Sequence, residues 1–453
     1  MERNAEMAKF ITPNDPALFA ENDALTIQNA IAAAEADGCR KIVIPRYNLR
    51  MKKTEWRIDR AIKIPSDFTV ILDNCYMVQE TGCYDHMFTN SLSYEFPKTL
   101  ENEQHDITML GVGNVILDGG VHNRLTEKTS GKYGLPRVWK NTMLYWVNVR
   151  NLKVENLFIQ NHRWWAITHI FCRHGWYKNI CFEVVPHVNN LDGIDLRIGC
   201  NNFHLENITG RTGDDLIAMT SLQGGWEMQN AVEGKDIDLH DVQVRNAMGD
   251  PFLWLVVRIL NHDGSQIYNI DLDTLYDTSD FTTKRRPIAT VGIGGALYSK
   301  VRKAVPGETR NIRARNLTSR GGCAIRIDNN LVDSTFTNVK TFGDNLVGIG
   351  TRDGDTDIHN VLMEDFFFSI TQQEIFCSTE LDPTKYVGAV VDLPDCRGDL
   401  QFKNLTVDKV NTVVRSTGSL TVTAEGYDCV SALKTADVNG SKLIINGEEI
   451  ENG

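Results

Sequence analysis

The sequence predicts an all-β chain that folds as a right-handed parallel β-helix with an N-terminal helical cap. A phrase of alternating apolar residues returns along most of the chain, with variable spacing and a minimum of 22 residues between copies. One segment of helical periodicity precedes these copies. Period-2 alternation is typical of strands, and a recurring unit of this size is typical of a solenoid.

The recurring phrase has the form apolar-x-apolar-x-Asn/Asp/Thr-apolar. Its copies span residues 152–157, 203–208, 237–242, 270–275, 312–317, 361–366 and 400–405, with looser copies that start at Ile180 and Ser334. Asn or Asp at a fixed place suits a turn of left-handed geometry, in which the side chain bonds local backbone. Leucine-rich repeats have a similar period, but their L-x-x-L-x-L-x-x-N frame does not recur. A flat β-sandwich would not explain why the same phrase returns in the same order.

The N-terminal region predicts a cap on the solenoid. Residues 23–37 carry apolar residues at helical spacing, with Asp23 as the expected N-cap and Gly38 as the C-terminal stop. A short strand over 42–45 follows. Because a solenoid needs a polar end plate, we interpret residues from about 20 to 50 as this cap. We expect a single β-helix domain over residues 1–453, with its coils at about 60–430, since stacked repeats can form one long unit.

The composition narrows the classes of function. The chain has 453 residues, of which 42% are hydrophobic and 23% charged, and a formal net charge of -12. An acidic chain lacks the basic patches that bind nucleic acid or anionic membranes, so neither is an expected partner. The sequence shows no long apolar run, no signal peptide and no metal-like spacing among its ten cysteines. We therefore expect a cytoplasmic protein with reduced thiols, and a homo-oligomer stays open.

Two segments join acidic residues to an apolar strand at similar places in consecutive repeats. They are NNLDGIDL at 189–196 and RTGDDLIAM at 211–219. Asp192 and Asp215 are 23 residues apart, which is one minimal coil. Because equivalent positions on neighbouring coils of a parallel sheet stack about 4.8 Å apart, we expect these two residues to be neighbours, with Asp214 beside them.

Three carboxylates this close cannot all ionise freely, so at least one pKa should be raised. Glycosidases need such a set, because a protonated acid donates to the leaving oxygen while ionised partners activate water. We assign Asp214 as general acid, with Asp192 and Asp215 holding and deprotonating the water. Inversion requires roughly 6.5–9.5 Å between acid and base. Two alternatives stay open: ordinary turn residues, which also fits Asp195, or a Ca²⁺ site.

Four further residues are candidates for substrate binding. Asp250 aligns with Asp214 in the next repeat and would extend the acidic ladder by one coil, although a turn role is equally consistent. Arg258 would face the cleft or form a surface ion pair. His187 precedes the first acidic segment and would reach the sugar, although a turn histidine is the commoner role. Trp254 would stack on a sugar ring, although packing against the core is the commoner role.

Four motifs in order resemble glycoside hydrolase family 28, the polygalacturonases and their relatives, over roughly residues 20–275. ITMLGVGNVILDGG at 107–120 resembles the family's I-x-I-x-G-x-G-x-I-D-G-x-G phrase, and NHRWW at 161–165, followed by His169 and Cys172, resembles its S-P-x-W…H…C coil. NNLDGID resembles N-T-D-G-I-D, and GDDLIAM resembles G-D-D-C-I-A-I. The resemblance implies a pectin-lyase-like solenoid, an inverting mechanism, no metal or other cofactor, and catalytic roles for Asp192, Asp214 and Asp215.

The sequence also departs from this family in its substrate-binding motifs. The family's G-H-G is replaced by DPFLWL at 250–255, which has no histidine. Its R-I-K has only partial echoes in RIL at 258–260 and RID at 326–328, and the coil at the expected place is VGIG at 291–294. Because a lysine that would grip a carboxylate is missing, the resemblance does not imply galacturonate as the substrate.

The sequence therefore predicts an inverting glycoside hydrolase that acts on plant-type oligosaccharides, pectin-related or other, without a cofactor. The first alternative is a β-helix polysaccharide lyase, which would need a uronate, usually Ca²⁺, and a Lys or Arg base. The second is a carbohydrate-binding or structural solenoid without catalytic activity.

Overall fold

The chain folds as a right-handed parallel β-helix, which confirms the predicted fold class. The computed structural model describes residues 9–279, 287–295, 298–341, 347–352, 354–369 and 388–452. Its 27 strands, numbered β1 to β27 in chain order, belong to one hydrogen-bonded sheet that winds around a continuous hydrophobic core. The described strand pairs are parallel except the last, between β26 and β27.

The sheet has three faces. Face one starts with Lys41–Pro45 (β1), Phe68–Asp73 (β4) and Gln104–Val112 (β7), and face two starts with Trp56–Ile58 (β2), Tyr76–Gln79 (β5) and Ile116–Asp118 (β8). Eight bent strands then continue both faces: Val149–Gln160 (β10), Arg173–Glu183 (β12), Asn201–Arg211 (β14), Leu239–Asp250 (β16), Ile267–Asp277 (β18), Thr309–Ser319 (β20), Asn330–Thr341 (β22) and Thr356–Ser369 (β24).

Face three consists of short strands that follow the turn after face two. They are Ile62–Ile64 (β3), Phe88–Asn90 (β6), Leu144–Val147 (β9), Ile167–Ile170 (β11), Ile194–Arg197 (β13), Ile217–Ser221 (β15), Leu255–Asn261 (β17), Ala289–Ile293 (β19), Cys323–Ile327 (β21) and Val347–Gly350 (β23). The chain ends with the long strand Ala389–Asn439 (β25), then Lys442–Ile445 (β26) and Glu448–Glu449 (β27). Loops cover the outer side of face three, so β13 and β15 are buried on both sides.

Each bent strand turns at a residue of positive φ, as the recurring Asn predicts. Asn156, Asn179, Asn207 and Asn246 have φ values between 55° and 62°. Their side-chain amides also form a ladder, in which Asn179, Asn207 and Asn246 each donate to the amide oxygen one coil earlier at 2.7–2.8 Å, and Asn156 donates to the Gly111 carbonyl at 3.2 Å. The turn and the stacking of coils are therefore stabilised by the same side chains.

The predicted first residue of two copies of the phrase, Ile180 and Ile237, is wrong by five residues. Leu152 is in register with Gly175 rather than Ile180, and Phe203 is in register with Val242 rather than Ile237. The cause is a second row of positive φ at the start of each bent strand, which includes Asn202. Since both rows are followed by an apolar residue, a five-residue shift reproduces most of the pattern.

The N-terminal helix caps the core as predicted, with one correction. Helix α1 spans Asp23–Ala36 and buries its apolar residues against the first strands. Asn22, not Asp23, is the N-cap and accepts from the backbone N–H of Leu25 at 2.8 Å. Asp23 is instead buried in an ion pair with Arg50. The predicted strand after the helix is β1, whose pairing with β4 starts the coils nearer residue 41 than 60.

The other helices in the described part of the chain are short. They are Pro16–Leu18 and Val138–Asn141, both 3₁₀, and Gly225–Met228 (α2). Within the described residues, no helix has the length and apolar character that a membrane crossing requires. The nine cysteines in this part of the chain are free thiols.

Candidate active site

The two acidic segments lie side by side in the turns that enter face three. Ile194 of β13 is in register with Ile217 of β15, and the Gly193 N–H donates to the carbonyl of Asp215 at 2.9 Å. The 23-residue offset between Asp192 and Asp215 is therefore one coil, and the predicted proximity of these residues is confirmed. The coil that runs from Asp192 through β14 to Asp215 carries no insertion, so both acids reach the same place, although the turn before β13 is five residues longer than the turn before β15.

The three carboxyl groups of Asp192, Asp214 and Asp215 form one cluster at the floor of a cavity of about 480 Å³. An oxygen from each lies within 4.8 Å of an oxygen from the other two, and the residues are only 5%, 6% and 1% exposed. This spacing is shorter than the roughly 6.5–9.5 Å that separates acid and base in most inverting glycosidases. The distance by itself does not support inversion, which stays a prediction.

Asp214 is held in its protonated form near neutral pH. Burial, followed by the negative charge of Asp215, raises the pKa of Asp214 to about 8. Two backbone N–H groups, of Asn190 at 3.2 Å and Asp215 at 3.0 Å, donate to its two oxygens and fix its orientation. A carboxylic acid with this pKa can donate a proton at neutral pH.

Asp215 is the acid whose negative charge is best compensated. Burial raises its pKa, but the guanidinium of Arg258 opposes this shift. Arg258 donates from Nε and Nη2 to the two Asp215 oxygens, and the Leu255 N–H donates at 3.1 Å. Arg258 therefore faces the cleft, where it forms an ion pair with Asp215. The two neighbouring acids are thus pushed toward different protonation states.

Asp192 and Asp195 share the cavity floor. Burial and the surrounding carboxylates raise the pKa of both well above the usual range of aspartate. No described protein group donates a hydrogen bond to Oδ1 of Asp192 or to either oxygen of Asp195. A turn role for Asp195, one of the alternatives that the sequence leaves open, is wrong, because this residue lies on β13, in register with Ala218 and then Arg258, and its side chain lines the cavity.

A second ion pair, missed in the sequence, borders these acids. Arg197 of β13 contacts Glu227 of α2 at 2.5 Å and Asp195 at 3.8 Å, and both Arg197 and Glu227 are 6% exposed. Residues i and i+2 of a strand share a face, so the sequence could have predicted that Asp195 and Arg197 lie on the same side of β13. No such pattern predicts Glu227, because it belongs to the insertion between β15 and β16.

Four tryptophans form a wall at the N-terminal end of the cavity. Trp165 stacks on Trp164 with a centroid distance of 3.9 Å, and Trp226 lies 5.8 Å from Trp165. Trp139, from the 3₁₀ helix before β9, stacks on Trp226 at 5.2 Å. The guanidinium of Arg197 lies 4.5 Å from the Trp165 ring, so the wall is joined to the acidic floor.

Two of the four candidate binding residues line the cavity, and two lie outside it. Trp254 and Arg258 line the cavity, and the guanidinium lies 5.9 Å from the indole ring. His187 is exposed, packs edge-on against His122 and bonds the Val185 carbonyl, so it lies outside the lining.

The predicted extension of the acidic ladder by Asp250 is wrong. Gly249 is in register with Gly210, so Asp250 pairs with Arg211 rather than with Asp214. Its carboxylate accepts from Arg211 at 2.9–3.0 Å and is absent from the cavity lining. The turn between β16 and β17 is one residue longer, and Leu255 occupies the level of Asp215.

Beyond Arg258 the cavity opens toward the C-terminal coils. Tyr298 and Lys300 line this side. A small adjoining cavity of about 50 Å³ reaches Arg326, which forms an ion pair with Asp328. The RID motif therefore lies two coils after Arg258, in register with Gly292.

The three catalytic candidates are also the cluster most capable of holding a cation among the described buried residues. Ca²⁺ takes six to eight oxygen ligands at about 2.3–2.6 Å. Asp214 instead accepts two backbone N–H groups, and the guanidinium of Arg258 is bound to both oxygens of Asp215. Because that positive charge repels a cation, this donor set fits Ca²⁺ poorly.

Comparisons with known proteins agree on the architecture. No protein-family model and no curated protein matches the chain. Among solved structures, the Yersinia enterocolitica family 28 exopolygalacturonase has a TM-score of 0.52 at 12% identity, covering 98% of this chain and 79% of that one. The tailspike of E. coli bacteriophage HK620 scores 0.49 at 11% identity, covering 97% and 78%. The Thermotoga maritima exopolygalacturonase scores 0.42 at 12%, covering 98% and 93%. The likeness to the Yersinia enzyme, at a TM-score above 0.5, supports a polygalacturonase-like parallel β-helix fold for this chain.

Proposed function

We propose that the protein is a glycoside hydrolase that cleaves a glycosidic bond in this cavity. The observation that carries the proposal is the pair of adjacent buried carboxyls with opposed environments. The pKa of Asp214 is raised to about 8, whereas Arg258 favours the ionised form of Asp215. Pairs of titratable groups pushed apart in this way are typical of glycosidases, which need an acid and a base together.

The proposed reaction uses the three acids in separate roles. Asp214 donates its proton to the glycosidic oxygen as the bond from that oxygen to the anomeric carbon breaks. A water molecule attacks the anomeric carbon, and Asp215 takes the proton that this water loses. Asp192, one coil before Asp215, accepts a hydrogen bond from the water and positions it. Arg258 stabilises the negative charge that Asp215 needs in order to act as base.

The substrate class is a plant-type oligosaccharide. The fold likeness to a family 28 exopolygalacturonase supports a carbohydrate substrate, and the cavity volume of about 480 Å³ suits a small part of a chain. The two alternatives make different use of the same cavity. A lyase would need a free basic side chain beside the acids, whereas Arg258 is bound to Asp215 and Lys300 is exposed at the opening of the cavity. A binding solenoid would not need carboxyls with opposed protonation states.

The test is hydrolysis of a panel of aryl glycosides and pectic oligosaccharides by the wild type and Asp214→Asn. We expect the substitution to lower kcat by about 10²–10⁴, because it removes the general acid. Asp250→Asn is the matched control, since this acid pairs with Arg211 outside the cavity. Equal activity in wild type and Asp214→Asn would contradict the proposal, and an unsaturated product would favour the lyase.

Two additional readouts refine the same experiment. NMR of the first product anomer reports the stereochemistry, and retention would remove the assignment of Asp215 as a base acting on water. Chelation with EDTA tests the role of metal. We expect no loss of activity, because Arg258 supplies the positive charge beside Asp215.

A further inference from the structure

We propose that the cavity binds one uncharged terminal sugar residue, between the tryptophan wall and Asp192, and that it excludes uronates. This inference rests on the proposed function and names its substrate class. Three observations carry it: the charge balance of the lining, the closed N-terminal end, and a group of buried polar atoms without protein partners.

Acidic groups dominate the cavity lining. Seven acidic and three basic residues line it in the described part of the chain: Glu127, Asp192, Asp195, Asp214, Asp215, Glu227 and Asp263, against Arg197, Arg258 and Lys300. Both arginines already form ion pairs, Arg197 with Glu227 and Arg258 with Asp215. A uronate carboxylate would therefore be buried in this cavity without an uncompensated guanidinium to pair with.

Lys300, the third basic residue of the lining, lies too near the opening of the cavity to compensate a charge at its floor. Lys300 is exposed at the opening of the cavity, beyond Arg258, and makes no ion pair with a described residue. A solvated lysine at the rim is screened by water and contributes little at the buried floor. Lys300 thus supplies no buried counter-charge for a uronate beside Asp192 and Asp195.

The cavity is blind at its N-terminal end. Trp165 lies one coil before Asp192, and among described residues nothing earlier in the chain than Glu127 lines the cavity. The tryptophan wall and the acidic floor therefore bound the end of the cavity that the terminal sugar would occupy. At the other end the cavity continues toward Tyr298 and the adjoining pocket near Arg326. A chain would therefore enter with one end and lose its terminal residue.

The floor offers hydrogen bonds that match sugar hydroxyls. Both oxygens of Asp195, Oδ1 of Asp192 and Nε of Arg197 are buried and have no partner among the described protein groups. Asp195 is 1% exposed and Arg197 6%, so bulk water reaches them poorly. Buried polar atoms are costly without partners. A protonated carboxyl offers one donor and one acceptor, so hydroxyl groups can satisfy both and also accept from Nε, whereas a uronate carboxylate can only accept and would leave the acceptor oxygens without partners.

The experiment compares neutral and acidic sugars that differ at C6. Calorimetry measures binding of galactose, glucose, rhamnose, xylose and arabinose, and of galacturonate and glucuronate, to the Asp214→Asn protein at pH 7. The wild type is assayed on the matching aryl glycosides and on neutral oligosaccharides. We expect at least one neutral sugar to bind about tenfold more tightly than either uronate, and early digests to contain the monosaccharide and the chain shortened by one.

A gain-of-function variant sharpens the test. Glu227→Gln removes the charge that compensates Arg197, so we expect affinity for a uronate to rise about tenfold while a neutral sugar changes less. Asp250→Asn, whose ion pair lies outside the cavity, should change neither. Thermal unfolding checks that both variants are folded.

The inference and the proposed function fail in different ways. Tighter binding or faster hydrolysis of uronates, above all if Lys300→Ala abolishes it, would overturn the inference and leave the hydrolase intact. Products of intermediate length in early digests, or no binding of any sugar in the set, would overturn it as well. Binding of a neutral sugar without hydrolysis of any glycoside would overturn the proposed hydrolase alone.

Discussion

The outer surface of the bent strands and the floor of the cavity use the same stacking of coils with opposite charge patterns. On the outer surface, one row in register alternates in sign over six coils: Glu155, Lys178, Glu206, Arg245, Asp273 and Arg315. In the cavity, Asp192 stacks directly on Asp215, and Asp214 and Asp195 lie beside them. Acidic residues stack on one another where they are buried, and residues of opposite charge stack where they are solvated.

This difference shows which row was arranged for stability and which for chemistry. Opposite charges across neighbouring strands are mildly stabilising, and like charges are destabilising. Burial makes the second effect larger, because the acids lose water as well as gaining repulsion. A fold tolerates such a cluster when the perturbed carboxyls have a use, and groups with strongly shifted pKa values concentrate at functional sites.

The largest effect on activity is expected from removing Arg258, the cation that pairs with Asp215 in the cavity. We expect Arg258→Met to lower kcat by about 10²–10³, because Asp215 would lose its partner and stay protonated near neutral pH. Since the pKa of Asp215 would rise further, the acidic limb of the pH–rate profile should move to higher pH. The measurement is kcat/KM as a function of pH on the best substrate.

Arg211→Met is the matched control for that variant. It also removes an arginine from an aspartate, but the partner, Asp250, lies outside the cavity. Activity and its pH profile should resemble the wild type. If Arg258→Met keeps both the wild-type rate and the acidic limb, Asp215 is not the base.

The coil geometry was predictable because it depends on short, uninterrupted segments. Period-2 alternation gave the strands, and the spacing from Asp192 to Asp215 equals one coil, since no insertion separates their turns. The frame of individual copies was less certain, because each bent strand carries two residues of positive φ, such as Asn202 and Asn207. Only the paired strands fix which of the two starts the repeat.

The rest of the site depends on loop length, which the repeat does not encode. Asp250 was misplaced because the turn before β17 is one residue longer than the turn before β15. Trp226 and Glu227 come from an insertion with no repeat partner. Asp195 and Arg197 were visible as alternate residues of one strand, yet their burial depends on loops that cover face three.

A second test uses the pH dependence of stability. The native pKa of Asp214, about 8, lies above its unfolded value near 3.9, so the folded state binds its proton more tightly. The contribution of this proton to stability is full below about pH 4 and is lost as the pH rises toward about 8. Asparagine does not titrate. We therefore expect the Tm of Asp214→Asn, relative to wild type, to increase by several degrees from pH 5 to pH 8.

On the outer surface, the charge of Glu206 should change stability with pH in the opposite direction, and Glu206→Gln tests this. The hydrogen bond from Lys178 lowers the pKa of Glu206, so the wild type should gain rather than lose stability above about pH 4.

For the buried acid, a Tm difference between Asp214→Asn and wild type that stays constant from pH 5 to pH 8 would show that Asp214 is ionised in the folded protein at neutral pH.

The smallest effect is expected at an ion pair between Arg245, a member of the outer row, and Asp271, which lies two residues before Asp273. Arg245 and Asp271 form a two-pronged ion pair, with both N–O distances at 3.1 Å, on side chains that are 27% and 31% exposed. A double-mutant cycle with Arg245→Met and Asp271→Asn should give a coupling free energy below about 1 kcal/mol, because water screens both groups. The coupling should shrink further in 1 M salt. A coupling free energy of several kcal/mol that 1 M salt does not reduce would mean that the outer row is as poorly hydrated as the cavity. The difference between a solvated outer row and a buried acidic cluster would then be wrong.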